Sequence, residues 1–192
     1  MPFSAAAMAR APRPESFDNS LDPDGEFPLG PPEYFFYLLF QAARQRDLFF
    51  DKELKPVGLN LAQWRTLAII RRLETSTMTL LARYSTIERT TLTRAVDQLV
   101  ARGLVERVAP ARDRRQVNLT LTDLGKTVYR DAVAILKDRN EAVLAGVDPA
   151  RLRDAARVLQ VTLERLTGDG ELAADLLSFG RTASQPPAKP PG

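Results

Sequence analysis

The stretch TLLARYSTIERTTLTRAVDQLVARGLVERVAPARDRRQVNLTLT, residues 79–122, decides the fold predicted for this chain. Its middle carries helical spacing, because Leu92, Val96 and Leu99 recur on one face. The outward face of the same segment is polar, rich in hydroxyl groups and basic; it holds Arg89, Thr90, Thr93, Arg94 and Asp97. The pattern predicts an amphipathic helix with one buried side.

The rest of the stretch predicts a two-stranded hairpin. Gly103 ends the helix, since glycine is common just past a helix C-terminus, and β-branched runs follow at 104–108 and 117–121. A basic tip, residues 109–115, lies between the two runs. A shorter helix and a tight turn over 86–88 precede the amphipathic helix. This order of elements is that of a winged helix-turn-helix, whose second helix enters the DNA major groove.

At this point the sequence resembles the MarR/SlyA family of bacterial transcription regulators. The resemblance rests on Leu81 and Ala82 in the first helix, residues 89–94 with Asp97 and Leu99 in the second, 101–105 after it, 112–115 in the wing, and 120–122 with Gly125. It implies a mainly α fold with a small β-hairpin wing (α+β), in which N- and C-terminal dimerisation helices flank the winged helix-turn-helix.

The sequence departs from the family at the turn of the helix-turn-helix. The family usually has a glycine at the position of Thr86 and a shorter capping residue than Glu88. Because glutamate is a poor N-cap, we expect a looser turn here.

Nine residues are expected to contact DNA. Arginine on the second helix pairs bidentately with guanine, and threonine hydroxyls donate to phosphates. The resemblance places Arg115 at the wing tip in a minor groove, where Asp113 would hold an arginine in position. The nine are Arg89, Thr90, Thr91, Thr93, Arg94, Arg112, Asp113, Arg114 and Arg115. The alternatives are solvated helix residues and a basic hairpin of no fixed geometry.

Composition narrows the classes of function. The chain has 192 residues, no cysteine and no histidine, so disulfides, thiol chemistry, Cys/His zinc sites and histidine bases are excluded. The formal charge is only +3, but residues 83–130 hold ten basic against five acidic residues. Positive charge therefore collects within the DNA-binding motif, although charge runs are also common on solvated faces.

The chain is expected to divide into five parts: a disordered arm (1–31), an N-terminal dimerisation helix (32–58), the DNA-binding lobe (59–122), C-terminal dimerisation helices (123–167) and a mostly disordered tail (168–192) with a short helix near 171–179. The run 34–40 is apolar on every face, and a chain of this size seldom buries such a helix alone. We therefore expect a homodimer.

No secretory signal or membrane span is recognised in the sequence, so a cytoplasmic protein without a membrane partner is expected.

Family members commonly bind a small aromatic or anionic effector between the dimerisation helices and the DNA-binding lobe. The residues that could line such a cleft here are Tyr37, Phe40, Arg44 and Trp64. Core packing is the competing explanation for the three aromatic residues. The resulting function is a dimeric repressor that binds an inverted-repeat operator in double-stranded DNA and is relieved by an effector.

Two other functions compete with DNA binding. An enzyme is disfavoured, because Gly125 and Lys126 lack the earlier glycine of a phosphate-binding loop, and Asp47 and Asp51 look like solvent charges without metal-binding partners. No cofactor and no metal are expected. A winged helix that binds protein instead of DNA is the remaining alternative, although such modules often lack a basic recognition face.

Overall fold

The computed structural model describes residues 31–109 and 117–180, and the structural statements below concern those residues. The elements are α1 (Pro31–Glu53), α2 (Leu61–Leu73), α3 (Met78–Tyr84), α4 (Arg89–Ala101), β1 (Val105–Val108), β2 (Asn118–Leu121), α5 (Asp123–Val143), α6 (Pro149–Thr167) and α7 (Gly170–Gly180). This order confirms the prediction of a mainly α fold with a small hairpin. The expected disordered arm, the wing tip and the end of the tail lie outside the described residues.

The chain divides into two compact units, Met1–Gln45 and Arg46–Gly192. In the described part of the first unit, Tyr34 stacks on Tyr37 with ring centroids 6.3 Å apart, and Phe35 meets Phe36 edge to face at 5.4 Å. Several large apolar side chains of this segment are exposed, namely Tyr34, Phe36, Tyr37, Leu38 and Phe40. These side chains belong to the run that the sequence expects a second copy to cover.

The start of α2 is held by two kinds of contact. Asn60 and Gln63 form a capping box, with the Asn60 side chain accepting from the Gln63 N–H at 2.8 Å. Asp51 accepts from the N–H of Leu61 at 3.0 Å, and Asp47 pairs with Arg65 at 2.6 Å. The prediction of Asp47 and Asp51 as solvent charges was wrong, because sequence spacing does not reveal partners more than two helical turns away.

The core of the second unit forms where α2 and α4 pack against each other, with α5 and β2 against α2. Its fully buried side chains include Leu67, Ile70, Leu81, Leu92, Val96, Leu99 and Leu119. The α4 face predicted from its apolar spacing therefore supplies three of these core residues. Burial of that face fixes which side of α4 is left for solvent.

The two strands pair in antiparallel register, from Val105 opposite Leu121 to Val108 opposite Asn118. Ser76, before α3, adds a bridge to β2: its N–H donates to the Leu119 carbonyl at 3.0 Å and its carbonyl accepts from Leu119 at 2.7 Å. The hairpin is therefore tied to the segment that leads into the helix-turn-helix.

Helix α5 begins at a close backbone approach. Thr122 caps it, since the hydroxyl accepts from the Gly125 N–H at 3.0 Å and donates to the Gly103 carbonyl at 2.7 Å. A Cβ at position 125 would lie 1.9 Å from the carbonyl oxygen of Leu104. Only glycine fits there, which gives the Gly125 of the sequence motif a steric reason.

Helix α6 begins with Asp148 as N-cap and Pro149 at its first position, where proline is favoured. None of its residues is buried within the single chain. Its exposed large apolar side chains are Leu152, Val158, Leu159, Val161 and Leu166. Among the described residues, no helix is long and apolar enough to span a bilayer.

The short helix expected near 171–179 is present as α7, and it packs on the helix-turn-helix side of the unit. Asp175 accepts from the Tyr84 hydroxyl at 2.8 Å and pairs with Arg83 at 2.9 Å. Phe179 stacks on Tyr84 with centroids 4.5 Å apart, and the Arg72 guanidinium lies 4.8 Å from the Phe179 ring centroid. These contacts attach the end of the described chain to α2 and α3.

Candidate nucleic-acid interface

Helix α4 presents a polar, basic surface. Leu92, Ala95, Val96 and Leu99 are buried, and this orientation exposes every α4 residue expected to contact DNA: Arg89, Thr90, Thr91, Thr93 and Arg94. Within residues 31–109 and 117–180, neither Arg89 nor Arg94 forms an ion pair. Both guanidinium groups therefore remain available for an external anion or a base edge.

The N-terminus of α4 differs from the sequence expectation. One Glu88 carboxylate oxygen accepts from the Thr91 N–H at 3.0 Å, so the long side chain folds back and caps the helix. Hydrogen bonds from the backbone N–H groups of Thr90 and Thr91 lower the pKa of the Glu88 carboxyl. The expectation of a poor cap at the turn was wrong, and the carboxylate stays charged at neutral pH.

Three side-chain contacts hold α4 in the lobe. Gln98 accepts from the Gln63 amide of α2 at 2.9 Å, and Arg102 donates to the Gly58 carbonyl at 2.7 Å. On the other side, Arg107 of β1 pairs with Asp97 at 2.6 Å. Arg102 and Arg107 are thereby committed to contacts within the lobe, which separates them from the arginines that face outward.

The base of the wing is formed and its tip is not described. Leu119 and Leu121 turn inward on β2, while Thr120 donates to Glu106 at 3.1 Å across the pair of strands. The expected wing contacts, Arg112, Asp113, Arg114 and Arg115, fall between the strands and lie outside the described residues. Their role stays a prediction from the sequence.

The four residues expected to bind an effector fall in both compact units. In the second unit, Trp64 is half-buried, packs against the core and stacks on Tyr129 with centroids 5.4 Å apart. In the first unit, Tyr37, Phe40 and Arg44 are exposed. Trp64 thus takes part in core packing, which is the alternative to ligand binding for this residue. The effector site stays a prediction.

Two features of this surface were not expected from the sequence. The Glu88 cap was missed because short side chains are the preferred N-caps, although its place directly before Arg89 was a usable signal. The pairing of Asp97 with Arg107 was also missed, because the two residues lie on different elements. The outward position of Asp97 on the helix was the only indication of a partner.

Comparison with known proteins agrees with this geometry. A family model described as MarR family matches residues 57–116, which run from the turn before α2 through β1 to the wing. The match thus covers both helices of the helix-turn-helix and the nucleic-acid interface.

The solved structures that are similar to this chain include the following three. A MarR-family transcriptional regulator from Silicibacter pomeroyi is 26% identical with a TM-score of 0.62, over 71% of this chain and 92% of that chain. Bordetella bronchiseptica BpsR, whose DNA binding is regulated by 6-hydroxynicotinic acid, is 25% identical with a TM-score of 0.57, over 71% of this chain and 100% of that chain. A mutant of Escherichia coli MarR, complexed with operator DNA, shares the fold at 23% identity and a TM-score of 0.60, over 66% of this chain and 91% of that chain.

The family model spans α2, α3, α4 and β1 of the lobe, and the solved structure from Silicibacter pomeroyi shares the fold that contains them. Residues 57–116 match the MarR family model, and the fold around them is the winged helix-turn-helix fold shared with the MarR-family regulator from Silicibacter pomeroyi.

Proposed function

We propose that this chain is a sequence-specific regulator of transcription that binds double-stranded DNA as a homodimer. The observation that carries the proposal is the exposed face of α4, where Arg89 and Arg94 lack ion pairs among the described residues while the opposite face is locked into the core. A rigid helix with two available guanidinium groups is suited to the major groove, where arginine pairs with guanine O6 and N7. The complex of the E. coli MarR mutant with operator DNA supports the same assignment.

The nine expected DNA contacts divide between the two grooves. Arg89, Thr90, Thr91, Thr93 and Arg94 would lie in the major groove or on its phosphates. Arg112, Arg114 and Arg115 would reach phosphates and the neighbouring minor groove, with Asp113 holding one of them. Fixed by Gln98 and by the Asp97 pair with Arg107, α4 would keep its position relative to the base of the wing.

The dimer supplies the spacing that an inverted repeat requires. Two recognition helices related by a two-fold axis contact half-sites about 34 Å apart, which is one turn of DNA. The uncovered apolar side chains of 34–40 and of α6 support a second copy as their cover. An operator with two inverted half-sites follows from this symmetry.

Repression relieved by a small effector completes the proposal. BpsR, whose DNA binding is regulated by 6-hydroxynicotinic acid, is the relative that supports a ligand response. An effector that binds the DNA-free dimer more tightly would draw the population away from the operator-bound form. Tyr37, Phe40, Arg44 and Trp64 remain the residues expected to contact it.

Fluorescence anisotropy of the full chain on its own upstream intergenic DNA tests the DNA-binding role. We expect tight binding that weakens steeply between about 50 and 200 mM salt, as for proteins with several phosphate contacts. Arg94→Ala should lower affinity by roughly 10- to 100-fold, as expected for the loss of one bidentate base contact. An aromatic acid such as 6-hydroxynicotinic acid, added to the complex, should release DNA if it is the effector.

The matched control is Arg153→Ala, which removes one exposed positive charge from α6 and leaves α4 unchanged. Equal losses for both variants would mean that only net charge matters, against a specific role for Arg94. Binding that is insensitive to salt would instead favour the alternative of a protein-binding winged helix.

A further inference from the structure

Glu88 places a negative charge at the leading end of α4. The residue is exposed, and it directly precedes Arg89 in the interface. A carboxylate there is unexpected for a surface that approaches a polyanion. Its position calls for a role other than attraction to phosphate.

The carboxylate is held in place by the helix itself. Its contact with the Thr91 N–H, 3.0 Å long, limits the rotamers that the side chain can adopt. Backbone N–H groups at a helix N-terminus are a common binding site for phosphate, but here the helix's own side chain occupies them. This end of α4 is therefore not available as a phosphate anchor.

A fixed carboxylate in the major groove can accept hydrogen bonds but cannot donate them. The groove edges offer amino donors only on cytosine N4 and adenine N6, and glutamate pairs characteristically with cytosine N4. Thymine O4 or guanine O6 in the same place would set acceptor against acceptor and leave a desolvated charge without a partner. The carboxylate should thus reject wrong bases more strongly than it attracts the right one.

Arg94 adds a positive charge, with a different base preference, to the surface that carries the Glu88 carboxylate. Arg94 is exposed on the same helix whose N-cap is Glu88, so two opposite charges lie on the exposed part of α4. Arginine prefers guanine and a carboxylate prefers cytosine. A surface with both favours a half-site that presents these two bases at neighbouring positions.

We propose that Glu88 is a specificity-determining residue that selects cytosine at one position of each operator half-site and rejects thymine and guanine there. The proposal rests on the proposed DNA-binding function and adds a base preference to it. Capping of α4 and base selection are then two tasks of one carboxylate, since the cap holds the acceptor in place.

The test is a selection of binding sites from a randomised duplex pool with the full chain and with Glu88→Gln. Glutamine has the same length and retains an oxygen that can cap, but it is neutral and pairs with adenine N6 and N7. We expect the wild-type motif to contain a cytosine that the variant replaces by adenine, with the other positions unchanged. Anisotropy on duplexes that differ only at this base pair should show a wild-type preference of roughly 5- to 150-fold, the range expected for one good base contact.

Two further variants separate base selection from capping and from charge. Glu88→Ser keeps a preferred N-cap without the charge and should bind most duplexes at least as well, with no preference at that position. Glu106→Gln on β1 removes another exposed carboxylate and should leave the selected motif unchanged. Circular dichroism checks that α4 remains folded in each variant.

The outcomes of the selection distinguish the base preference of Glu88 from the proposed DNA-binding function. Identical motifs for the wild type and Glu88→Gln, with both proteins binding, would overturn the inference and leave Glu88 as a cap alone. A uniform gain in affinity on every duplex would also overturn it, because the carboxylate would then only repel phosphates. Failure of the wild type to select any duplex would overturn the proposed DNA-binding function, and this inference with it.

Discussion

Gly125 is the residue whose replacement tests the junction of hairpin and α5 most directly. In Gly125→Ala the new methyl group would lie 1.9 Å from the Leu104 carbonyl oxygen and 2.9 Å from its carbon, both of them backbone atoms. Because the backbone must shift to make room, we expect the free energy of unfolding to fall by about 1–3 kcal/mol, as for other overpacked sites. Urea denaturation measures the change.

The matched control for this substitution is Gly170→Ala, at the start of α7. A Cβ there meets nothing within 4 Å, so the variant should be neutral or more stable by up to about 1 kcal/mol. Equal stability of Gly125→Ala and the wild type would show that α5 can move away from β1 at no cost.

At the level of single residues, the sequence indicated the exposed side of α4 correctly but not the partners of individual charges. Asp47, Asp51 and Asp97 all accept hydrogen bonds from groups at least ten residues away. Such partners depend on how elements pack, which periodicity within one element does not encode. The Glu88 cap is a local contact, but it was not predicted, because N-caps usually have short side chains.

At the level of elements, helix bounds could be predicted closely because apolar spacing and caps are local properties. Asn60, Thr122 and Asp148 are of the residue types preferred at N-caps, and each caps its helix. The presence of α7 could also be predicted, but its docking on α3 could not. Only the packed structure brings Asp175 to Arg83 and Tyr84.

The docking of α7 leads to a prediction for Asp175→Asn. The substitution weakens two charge-assisted contacts at a side chain that is only 30% exposed, so we expect α7 to lose about 1–2 kcal/mol of protection in amide hydrogen exchange. The control is Asp154→Asn, whose pair with Arg157 is 69–73% exposed and should matter by less than about 0.5 kcal/mol. Similar exchange of α7 in both variants would contradict a docking role for Asp175.

The same contact predicts a dependence on pH. Burial, and then the hydrogen bond to Asp175, raise the pKa of the Tyr84 hydroxyl above its ordinary value of 10.0. A raised pKa in the folded state means that the stabilisation is complete below about pH 10 and is lost as the pH rises through the folded pKa. Hydrogen exchange of α7 should therefore accelerate in alkaline solution more in the wild type than in Tyr84→Phe, and equal acceleration would contradict this linkage.

At the level of the whole molecule, we expect α6 to determine whether two chains associate. A helix with no buried residue and five exposed large apolar side chains is not stable in water without a covering surface. We expect the 21.3 kDa chain to run as a dimer in size-exclusion chromatography with light scattering. Leu159→Arg places a charge within the apolar stripe of α6 and should yield monomers, since burying an unpaired charge costs several kcal/mol.

Glu164→Lys is the control for Leu159→Arg, because it introduces a positive charge at an exposed position on the polar face of α6, which also carries Arg153 and Arg157, and should remain dimeric. Monomers of Leu159→Arg should still bind a single half-site but lose the gain from two linked half-sites, so affinity for the full inverted repeat should fall by roughly 100-fold or more. If Leu159→Arg remains a dimer with unchanged affinity, the pairing surface does not include this stripe. If Leu159→Arg loses the dimer but binds a half-site as the wild type does, then dimerisation by α6 and base recognition by α4 are independent.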